Sequence, residues 1–158
     1  MEDNNKIIEV LNDLIKINGD RITGYEKAAG NLDNSEVMLK SLFYQISDES
    51  QEINNRLTDT VIEMGGEPAN DYTIPGKIYQ MWMDIKATFS GKDNSASSAL
   101  EACEFGEDAA QRAYKEALKE SKEFPEPIRH MIRNQQHLLK MAHDLIRNQR
   151  NQNHEMAN

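Results

Sequence analysis

The sequence has little of what marks a disulfide-rich, fibrous or membrane protein. Its 158 residues include 1 cysteine, Cys103, so no internal disulfide can form and a reducing compartment fits. With 8 glycines and 4 prolines, the chain is neither collagen-like nor a flexible linker. No apolar run approaches the roughly 20 residues of a membrane span. The polar segment Met1 to Lys6 lacks a signal-peptide core, so we expect a cytoplasmic protein with no membrane partner.

Basic residues are too few for general electrostatic binding of nucleic acid. Lys and Arg number 18 against 27 Asp and Glu, which gives a formal net charge of −9 at pH 7. We therefore expect no nucleic-acid partner. Apolar residues make up 38% of the chain and charged residues 28%, and its length suits one domain of roughly 100 to 200 residues. This composition favours a helix-rich domain.

Apolar residues recur at helical spacing in four long segments, which predict helices over about 5–30, 34–64, 95–122 and 126–150. Asp33 and Glu36 resemble a capping box that opens the second helix, and Gly65 with Gly66 closes it. The crossover at 65–94 holds a short amphipathic segment, which predicts a helix over about 76–90. Residues 151–158 show no pattern, so we expect a frayed tail.

Four long helices must bury their apolar stripes against one another, which predicts an all-α four-helix bundle formed by residues 1–150 as one domain. Short links join the first two helices and the last two, so each pair forms an antiparallel hairpin. The crossover at 65–94 is long enough to run the length of the bundle. It makes the second and third long helices parallel, and this connectivity is the ferritin-like arrangement.

Several short motifs carry a family resemblance that spans nearly the whole chain. They are Asn12-Asp13-Leu14, Asn18 with Asp20, Gly24-Tyr25-Glu26-Lys27-Ala28-Ala29, Glu104 with Gly106-Glu107-Asp108, Tyr114, and His143-Asp144. The sequence resembles a bacterial family of uncharacterised proteins, a domain of unknown function within the ferritin-like superfamily. The resemblance implies a ferritin-like fold and brings no settled activity. Relatives tend to carry Arg where this chain has Phe105, so any role of that Arg does not carry over.

The ferritin-like arrangement raises the question of a metal centre at mid-bundle. Di-iron and di-manganese proteins of this fold use a Glu from each of two helices and Glu-x-x-His from each of the other two. The sequence contains no Glu-x-x-His, and His130, His137 and His143 all lie on the fourth long helix. A standard di-metal oxidase is therefore disfavoured. We expect no cofactor, with iron, manganese or zinc as the candidates if one binds.

Matching residue heights across the two predicted hairpins nevertheless collects polar residues in one layer. With turns near residues 32 and 124, this layer contains Asn18, Glu49, Glu104, Glu107, Asp108 and His143. Glu107 lies on an apolar stripe between Cys103 and Ala110, which makes it the best candidate for a buried carboxylate. Cys103 lies on the same inward stripe, so we expect a buried thiol rather than a nucleophile.

Two interpretations of the layer remain open. In the favoured one it is a structural polar core, in which Asn18 and Gln135 form hydrogen bonds and acids such as Glu104 pair with His143 or Arg21. The protein is then a non-catalytic structural or interaction bundle.

In the alternative interpretation, the layer holds a metal in a non-standard shell. Its ligands would be Glu49, Glu107, Asp108 and His143, which offer carboxylate oxygens and an imidazole nitrogen. The protein is then a metal-binding ferritin-like protein or an oxidase.

Two surfaces are candidates for contact with a partner. Trp82 with Tyr79 beside it suggests a docking face for a second copy of the chain, although such a stripe more often covers the bundle itself. We expect a homo-oligomer, specifically a dimer, and the sequence identifies no other protein partner. The fourth long helix is basic, which indicates either an anionic partner or, as we favour, pairing with acids of the third. Over residues 129–150 its charges are Arg129, Arg133, Lys140, Arg147 and Arg150 against Asp144.

Overall fold

The computed structural model describes residues 2–89 and 95–157, with side chains described for 4–89 and 95–153, and every regular element in this part of the chain is a helix. In chain order the elements are α1 (Glu2–Asn31), α2 (Val37–Glu63), α3 (Lys77–Lys86), α4 (Ala96–Glu120) and α5 (Glu126–Ala157). The short α3 lies in the crossover between α2 and α4, as predicted. The end of the predicted crossover, 90–94, falls outside the described residues. No described helix is long and apolar enough to cross a membrane.

Hydrogen bonds between side chains show that α1 and α2 are antiparallel. Asn54 Nδ2 donates to the carbonyl oxygen of Ile15 at 3.1 Å, and Arg21 donates to Ser50 Oγ at 2.7 Å. As the residue number on α1 rises, the number of its partner on α2 therefore falls.

Hydrogen bonds between side chains also show that α4 is antiparallel to α1. Tyr25 donates to Glu107, and Asn18 Nδ2 donates to the hydroxyl oxygen of Tyr114 at 3.0 Å. Since α2 and α4 both run opposite to α1, they run parallel to each other. This confirms the long crossover on which the predicted topology depends.

Several helix ends differ from the sequence prediction by three or more residues, and two of these differences have a clear physical cause. Residues 151–157 continue α5 instead of fraying, because this segment contains neither proline nor glycine to stop a helix that is already formed. The capping box predicted for α2 is also absent. Asp33 Oδ1 accepts from the backbone N–H of Ser35 at 2.9 Å, which forms a local turn, and α2 begins only at Val37.

Polar residues of α1 hold the crossover against the bundle. The side chain of Asn12 donates to the carbonyl oxygen of Glu67 at 3.0 Å and accepts from the N–H of Ala69 at 2.9 Å. Asp13 accepts from the N–H groups of Gly76 at 2.8 Å and Tyr79 at 3.1 Å. Asp13 thus satisfies free N–H groups at the beginning of α3, which a helix start requires.

The end of α2 is closed by two successive glycines. Gly65 has φ +81°, its N–H bonds to the carbonyl oxygen of Ile62, and the N–H of Gly66 bonds to that of Val61. This is the Schellman pattern, in which the left-handed residue after the helix favours glycine. The chain leaves α2 at this point and enters the crossover.

The buried apolar residues form two clusters along the bundle. The larger lies where α1 begins and includes Leu11, Leu14, Leu57, Ile132 and Leu139. The smaller lies where α1 ends and includes Ala29, Phe43, Ile46, Leu100 and Ile146. The heights between them are occupied by polar side chains.

Replacing Gly65 with alanine should lower the free energy of unfolding by about 1–2 kcal/mol, because a Cβ disfavours the left-handed conformation. The matched control is Gly24→Ala within α1. A Cβ there meets nothing within 4 Å, so the free energy of unfolding of this variant should rise by up to about 1 kcal/mol. Urea unfolding curves measure both changes, and equal effects of the two substitutions would contradict the assigned turn.

Candidate functional site

The strongest candidate for a functional site is a polar layer at mid-bundle. We use "polar layer" for Asn18, Arg21, Ser50, Glu107 and Gln135 together with the hydroxyl groups of Tyr25 and Tyr114. All seven residues are buried, and they come from α1, α2, α4 and α5. Asn18, Arg21, Ser50 and Glu107 lie where α1, α2 and α4 pass between the two apolar clusters. Gln135 joins them from α5 at the height of the larger cluster.

Arg21 and Glu107 form the centre of the polar layer. The guanidinium NH2 group lies 3.0 Å from Oε1 and 2.8 Å from Oε2 of the carboxylate. Their side chains are 3% and 1% exposed. Tyr25 donates a third hydrogen bond to Oε2. A buried charge of either sign is costly alone, and here each charge has its partner in direct contact.

Neutral side chains extend the hydrogen bonds around the ion pair, although Arg21 Nε and Gln135 Nε2 have no partner among the described residues. The NH1 group of Arg21 donates to Ser50 Oγ at 2.7 Å and to Asn18 Oδ1 at 3.2 Å. Asn18 Nδ2 in turn donates to the hydroxyl oxygen of Tyr114 at 3.0 Å. Tyr114 donates to Gln135 Oε1 at 2.9 Å. A continuous network therefore joins α2, α1, α4 and α5. The predicted hydrogen bonding of Asn18 and Gln135 is present, with Tyr114 between them.

The ion pair shifts the titration of its neighbours. Burial is the largest single influence on Arg21 and lowers its pKa, but the charge and hydrogen bond of Glu107, together with Tyr25 and Tyr114, outweigh burial and raise the pKa of the guanidinium. Burial, reinforced by the charge of Glu107, also raises the pKa of Tyr25 well above its ordinary value. Burial raises the pKa of Tyr114 as well. Both phenols therefore stay protonated at neutral pH and act as hydrogen-bond donors.

The polar layer does not fit a di-metal centre. Such a centre in this fold draws carboxylates from all four long helices and histidines from two of them. At this height the described buried side chains offer one carboxylate, Glu107, whose two oxygens already accept from Arg21 and Tyr25. A guanidinium cannot lose its proton at accessible pH and repels metal cations. Arg21 therefore fills the region that metal ions would need.

A second cluster lies nearer the surface, between α4 and α5. His143 Nε2 lies 2.7 Å from Asp108 Oδ1, and one oxygen of Glu104 completes a set of three ligand atoms within 4.8 Å of one another. Asp108 is exposed, and Glu104 and His143 are half-buried. We call these three residues the surface cluster. An imidazole and two carboxylates suit zinc, iron or manganese.

Basic residues of α5 also contact the surface cluster. Arg150 Nε lies 2.6 Å from Glu104 Oε2, and Arg147 Nε lies 3.9 Å from Glu104 Oε1. Two arginines of the basic helix therefore pair with an acid of α4, as the favoured interpretation predicted. Lys140 and Arg129 instead pair within their own helix, with Asp144 and Glu126.

The structure divides the predicted layer into two groups. Asn18, Glu107 and Gln135 belong to the polar layer, whereas Glu104, Asp108 and His143 form the surface cluster. Glu49 is half-buried on α2 beside the polar layer. Its pKa is raised, mainly by burial and also by the charge of Glu107, and the charge of Arg21 offsets part of this rise. The four proposed metal ligands thus do not meet at one point, and their role as ligands stays a prediction. The two groups face different helix pairs, a difference that height matching alone does not reveal.

Trp82 and Tyr79 are turned toward α1. The indole N–H of Trp82 and the hydroxyl of Tyr79 both donate to Asp20 Oδ2, at 2.9 and 2.8 Å. Trp82 is 2% exposed, which corrects our expectation of a docking face at this residue. The stripe covers the bundle, as the simpler interpretation held. Tyr79 is half-buried, and a contact through it stays a prediction.

Sequence reasoning missed the central role of Arg21. It appeared only as one of two candidate partners for acids, because a lone arginine on a helix is usually exposed. Its position could have indicated burial, because Arg21 lies one turn after Asn18 and one turn before Tyr25 on the inward face of α1. Asp20 was also missed as the acceptor that holds α3.

Comparison with solved structures defines the class of protein. A dodecameric thioferritin, the bacterioferritin-related protein from Bacteroides fragilis, matches with a TM-score of 0.80 at 14% identity over 98% of this chain and 89% of that chain. A Dps1 mutant from Mycobacterium smegmatis matches with a TM-score of 0.79 at 8% identity, over 94% and 97% of the two chains. A ferritin-like, diiron-carboxylate protein from Bacillus anthracis str. Ames gives 0.64 at 17%, over 100% and 99%. The fold is thus that of a ferritin-like four-helix bundle, as predicted.

A family comparison identifies the chain more closely. A family described as a domain of unknown function, DUF2383, matches residues 6–120. The chain belongs to this family, which confirms the resemblance found in the sequence. No curated protein matches the chain.

Removing either partner of the central ion pair should strongly destabilise the protein. Glu107→Leu and Arg21→Leu should each lower the free energy of unfolding by about 3–5 kcal/mol, because each leaves the other charge buried and unpaired. The double variant should be more stable than either single variant. Urea unfolding of all four proteins measures the coupling, and additive losses would contradict the contact. Glu126→Gln, which removes an exposed ion pair with Arg129, is the control and should change little.

Cys103 should react slowly with thiol reagents in the folded protein. Burial, together with the charge of Glu107, raises the pKa of this thiol to about 12. At pH 8 the native protein should therefore react with Ellman's reagent at least about 10³-fold more slowly than the unfolded chain, whose thiol has an ordinary pKa of about 8.5. The native rate should continue to rise with pH beyond 9. A rate that levels off near pH 9 would contradict the assignment, and Cys103→Ser provides the blank.

Proposed function

We propose that this protein is a ferritin-like bundle that works without a metal centre at mid-bundle, as a non-catalytic structural or interaction module. The buried contact between Arg21 and Glu107 carries the proposal. It puts a permanent positive charge where a di-metal protein of this fold needs carboxylates, and it occupies the one buried carboxylate described at that height. The cytoplasmic location expected from the sequence stays a prediction.

The ion pair is suited to fixing the arrangement of the helices. A buried charge pair is weak as a source of stability, because the cost of removing both groups from water offsets their attraction. Its best-attested use is to select one register among several apolar packings. Arg21 bonds to α2 and α4 at the same time, so sliding α4 would leave a charge unpaired and sliding α2 would break the hydrogen bond to Ser50. A module that binds a partner needs helices in fixed positions, because these set the shape of its surface.

Self-assembly is the interaction that the surface supports best. Both α2 and α5 expose large apolar side chains around the smaller core cluster: Val37, Met38 and Tyr44 on α2, and Met141 and Leu145 on α5. Large exposed apolar side chains are groups through which chains associate. The Bacteroides fragilis relative is described as dodecameric. We therefore assign this chain a homo-oligomeric state, and the dimer expected from the sequence is one such state.

The surface cluster favours a second candidate function, the binding of a single divalent metal. Asp108 and His143 were predicted as metal ligands, and Glu104 lies with them. Their three ligand atoms lie close enough to surround one ion after small side-chain movements. In this alternative the protein is a metal-binding ferritin-like protein or an oxidase with a non-standard shell.

Metal content and assembly can be measured on one set of samples. The protein is purified without chelator, analysed for iron, manganese and zinc by plasma mass spectrometry, and weighed intact by native mass spectrometry. The variants Glu107→Gln, Asp108→Asn and His143→Gln are treated identically. We expect oligomers that carry far less than one metal per chain, before and after incubation with ferrous iron, because Arg21 excludes cations from the polar layer.

The variants distinguish the alternatives. Stoichiometric metal that is lost in Glu107→Gln would overturn the proposal. Stoichiometric metal that survives Glu107→Gln but is lost in both Asp108→Asn and His143→Gln would establish the second candidate at the surface cluster. A monomer at every concentration would contradict the assigned self-assembly. Circular dichroism confirms that each variant is folded.

A further inference from the structure

A cavity of about 230 Å³ opens between α1, α3 and α4, on the far side of α1 from α2. Several of its wall positions carry small residues, among them Ala28, Ala99 and Ala102. An apolar cavity of about 150 Å³ in another protein binds benzene, so this one has room for a molecule of about ten non-hydrogen atoms. The cavity is open to solvent at one side, which gives such a molecule a path of entry.

The inner part of the cavity is apolar and aromatic, and its charges are already paired. Trp82, Tyr25 and Cys103 line it. Glu107 and Arg21 neutralise each other at its inner end, and burial keeps the thiol of Cys103 protonated by raising its pKa to about 12. A bound molecule would therefore meet a nearly neutral inner surface, on which the aromatic area is small because Trp82 and Tyr25 are 2% and 4% exposed.

The mouth of the cavity is positively charged. Lys27 and Lys86 are exposed at the rim, and neither has an acid partner among residues 4–89 and 95–153. Lys86 Nζ lies 5.3 Å from the centroid of the Trp82 ring, so this ammonium group leans over the cavity.

The start of α4 adds to this positive potential. Ser98, in the first turn of α4, lies at the rim; its own N–H already donates to Ser95 Oγ at 3.1 Å, so the helix contributes its dipole there rather than a free N–H group. Asp20 is the remaining acid of the lining, and Trp82 and Tyr79 both donate to its Oδ2. The Asp20 carboxylate keeps its negative charge, so two lysines against one acid give the mouth a net charge of +1, in a protein whose net charge is −9.

We propose that this cavity binds a small amphipathic carboxylic acid, with the carboxylate at Lys27, Lys86 and the start of α4 and the apolar body against Trp82 and the alanine wall. The size of the cavity limits the body to about one aromatic ring or a short alkyl chain. The site does not involve a metal and does not depend on the proposed function. Because α3 supplies both Trp82 and Lys86, binding of this molecule would depend on the position of α3.

The chain has 1 tryptophan, so Trp82 reports binding directly through its fluorescence. The probes are benzoate, phenylacetate and 4-phenylbutyrate, with 4-phenylbutyramide and 4-phenylbutylamine as neutral and cationic counterparts of the last. We expect a saturable change in emission with at least one acid. The amide should bind about tenfold more weakly than 4-phenylbutyrate, because it loses a charge-assisted contact, and the amine should bind more weakly still.

Three variants locate the site. Lys86→Met keeps most of the apolar stem but removes the charge, and should weaken acid binding about tenfold. Ala102→Leu fills the cavity and should abolish binding of every probe. Lys115→Met removes an exposed charge elsewhere on α4 and is the matched control, which should bind like the wild-type protein. Lys86 is exposed, so its variant tests the charge even if Ala102→Leu proves unstable.

Several results would overturn the proposal. The first is the absence of saturable binding by all three acids. The second is equal binding of the acid and the amide, which would remove the role of the positive mouth. The third is unchanged acid binding in Lys86→Met, or in a folded Ala102→Leu protein, which would place the molecule elsewhere on the bundle.

Discussion

The contact between Arg21 and Glu107 is the constraint on which the mid-bundle arrangement depends. Both groups are charged and almost fully buried, so neither is tolerable without the other. Their positions oblige α1 and α4 to meet at one height, and the bond from Arg21 to Ser50 extends this requirement to α2. The surrounding apolar clusters supply the favourable burial, but many registers would bury similar apolar area. The ion pair distinguishes one of them.

Polar side chains also fix the position of the crossover. The crossover packs Ile78 and Trp82 of α3 into the larger apolar cluster, and polar side chains of α1 add hydrogen bonds to it. Asn12 and Asp13 bind its first half and the start of α3, and Asp20 accepts two hydrogen bonds from α3 itself. These three residues lie along one face of α1. That face holds α3 against the bundle and thereby forms one wall of the cavity.

Much of the fold could be predicted from the sequence because it depends on periodic apolar stripes and on glycine at helix ends. The parallel course of α2 and α4 follows from the length of the crossover alone. The helix start at Val37 could not be predicted, because Asp33 can either cap a helix or form a local turn, and the choice depends on the packing of the hairpin. The continuation of α5 past Arg150 was missed for a different reason. Amphipathic pattern marks burial, whereas an established helix continues without it until a breaker occurs.

The candidate site was predicted only in part. Glu107 was identified because it lies on an apolar stripe, and Asn18 because height matching placed it in the same layer, whereas Gln135 was named only as a hydrogen-bonding residue of a polar core. Height matching could not separate Glu107 from Asp108, since adjacent residues on a helix differ little in height but face directions about 100° apart. Asp108 therefore points to α5 and the surface, whereas Glu107 points to Arg21. The burial of Trp82 depended on Asp20, an acceptor that periodicity does not reveal.

The central claim is that a guanidinium takes the place of metal ions in this ferritin-like bundle. Anomalous X-ray diffraction at the iron edge, from crystals soaked in ferrous iron, tests it most directly. The account predicts no anomalous peak within the polar layer and the guanidinium of Arg21 on the Glu107 carboxylate. An anomalous peak bound by Glu107, with the side chain of Arg21 displaced, would contradict it.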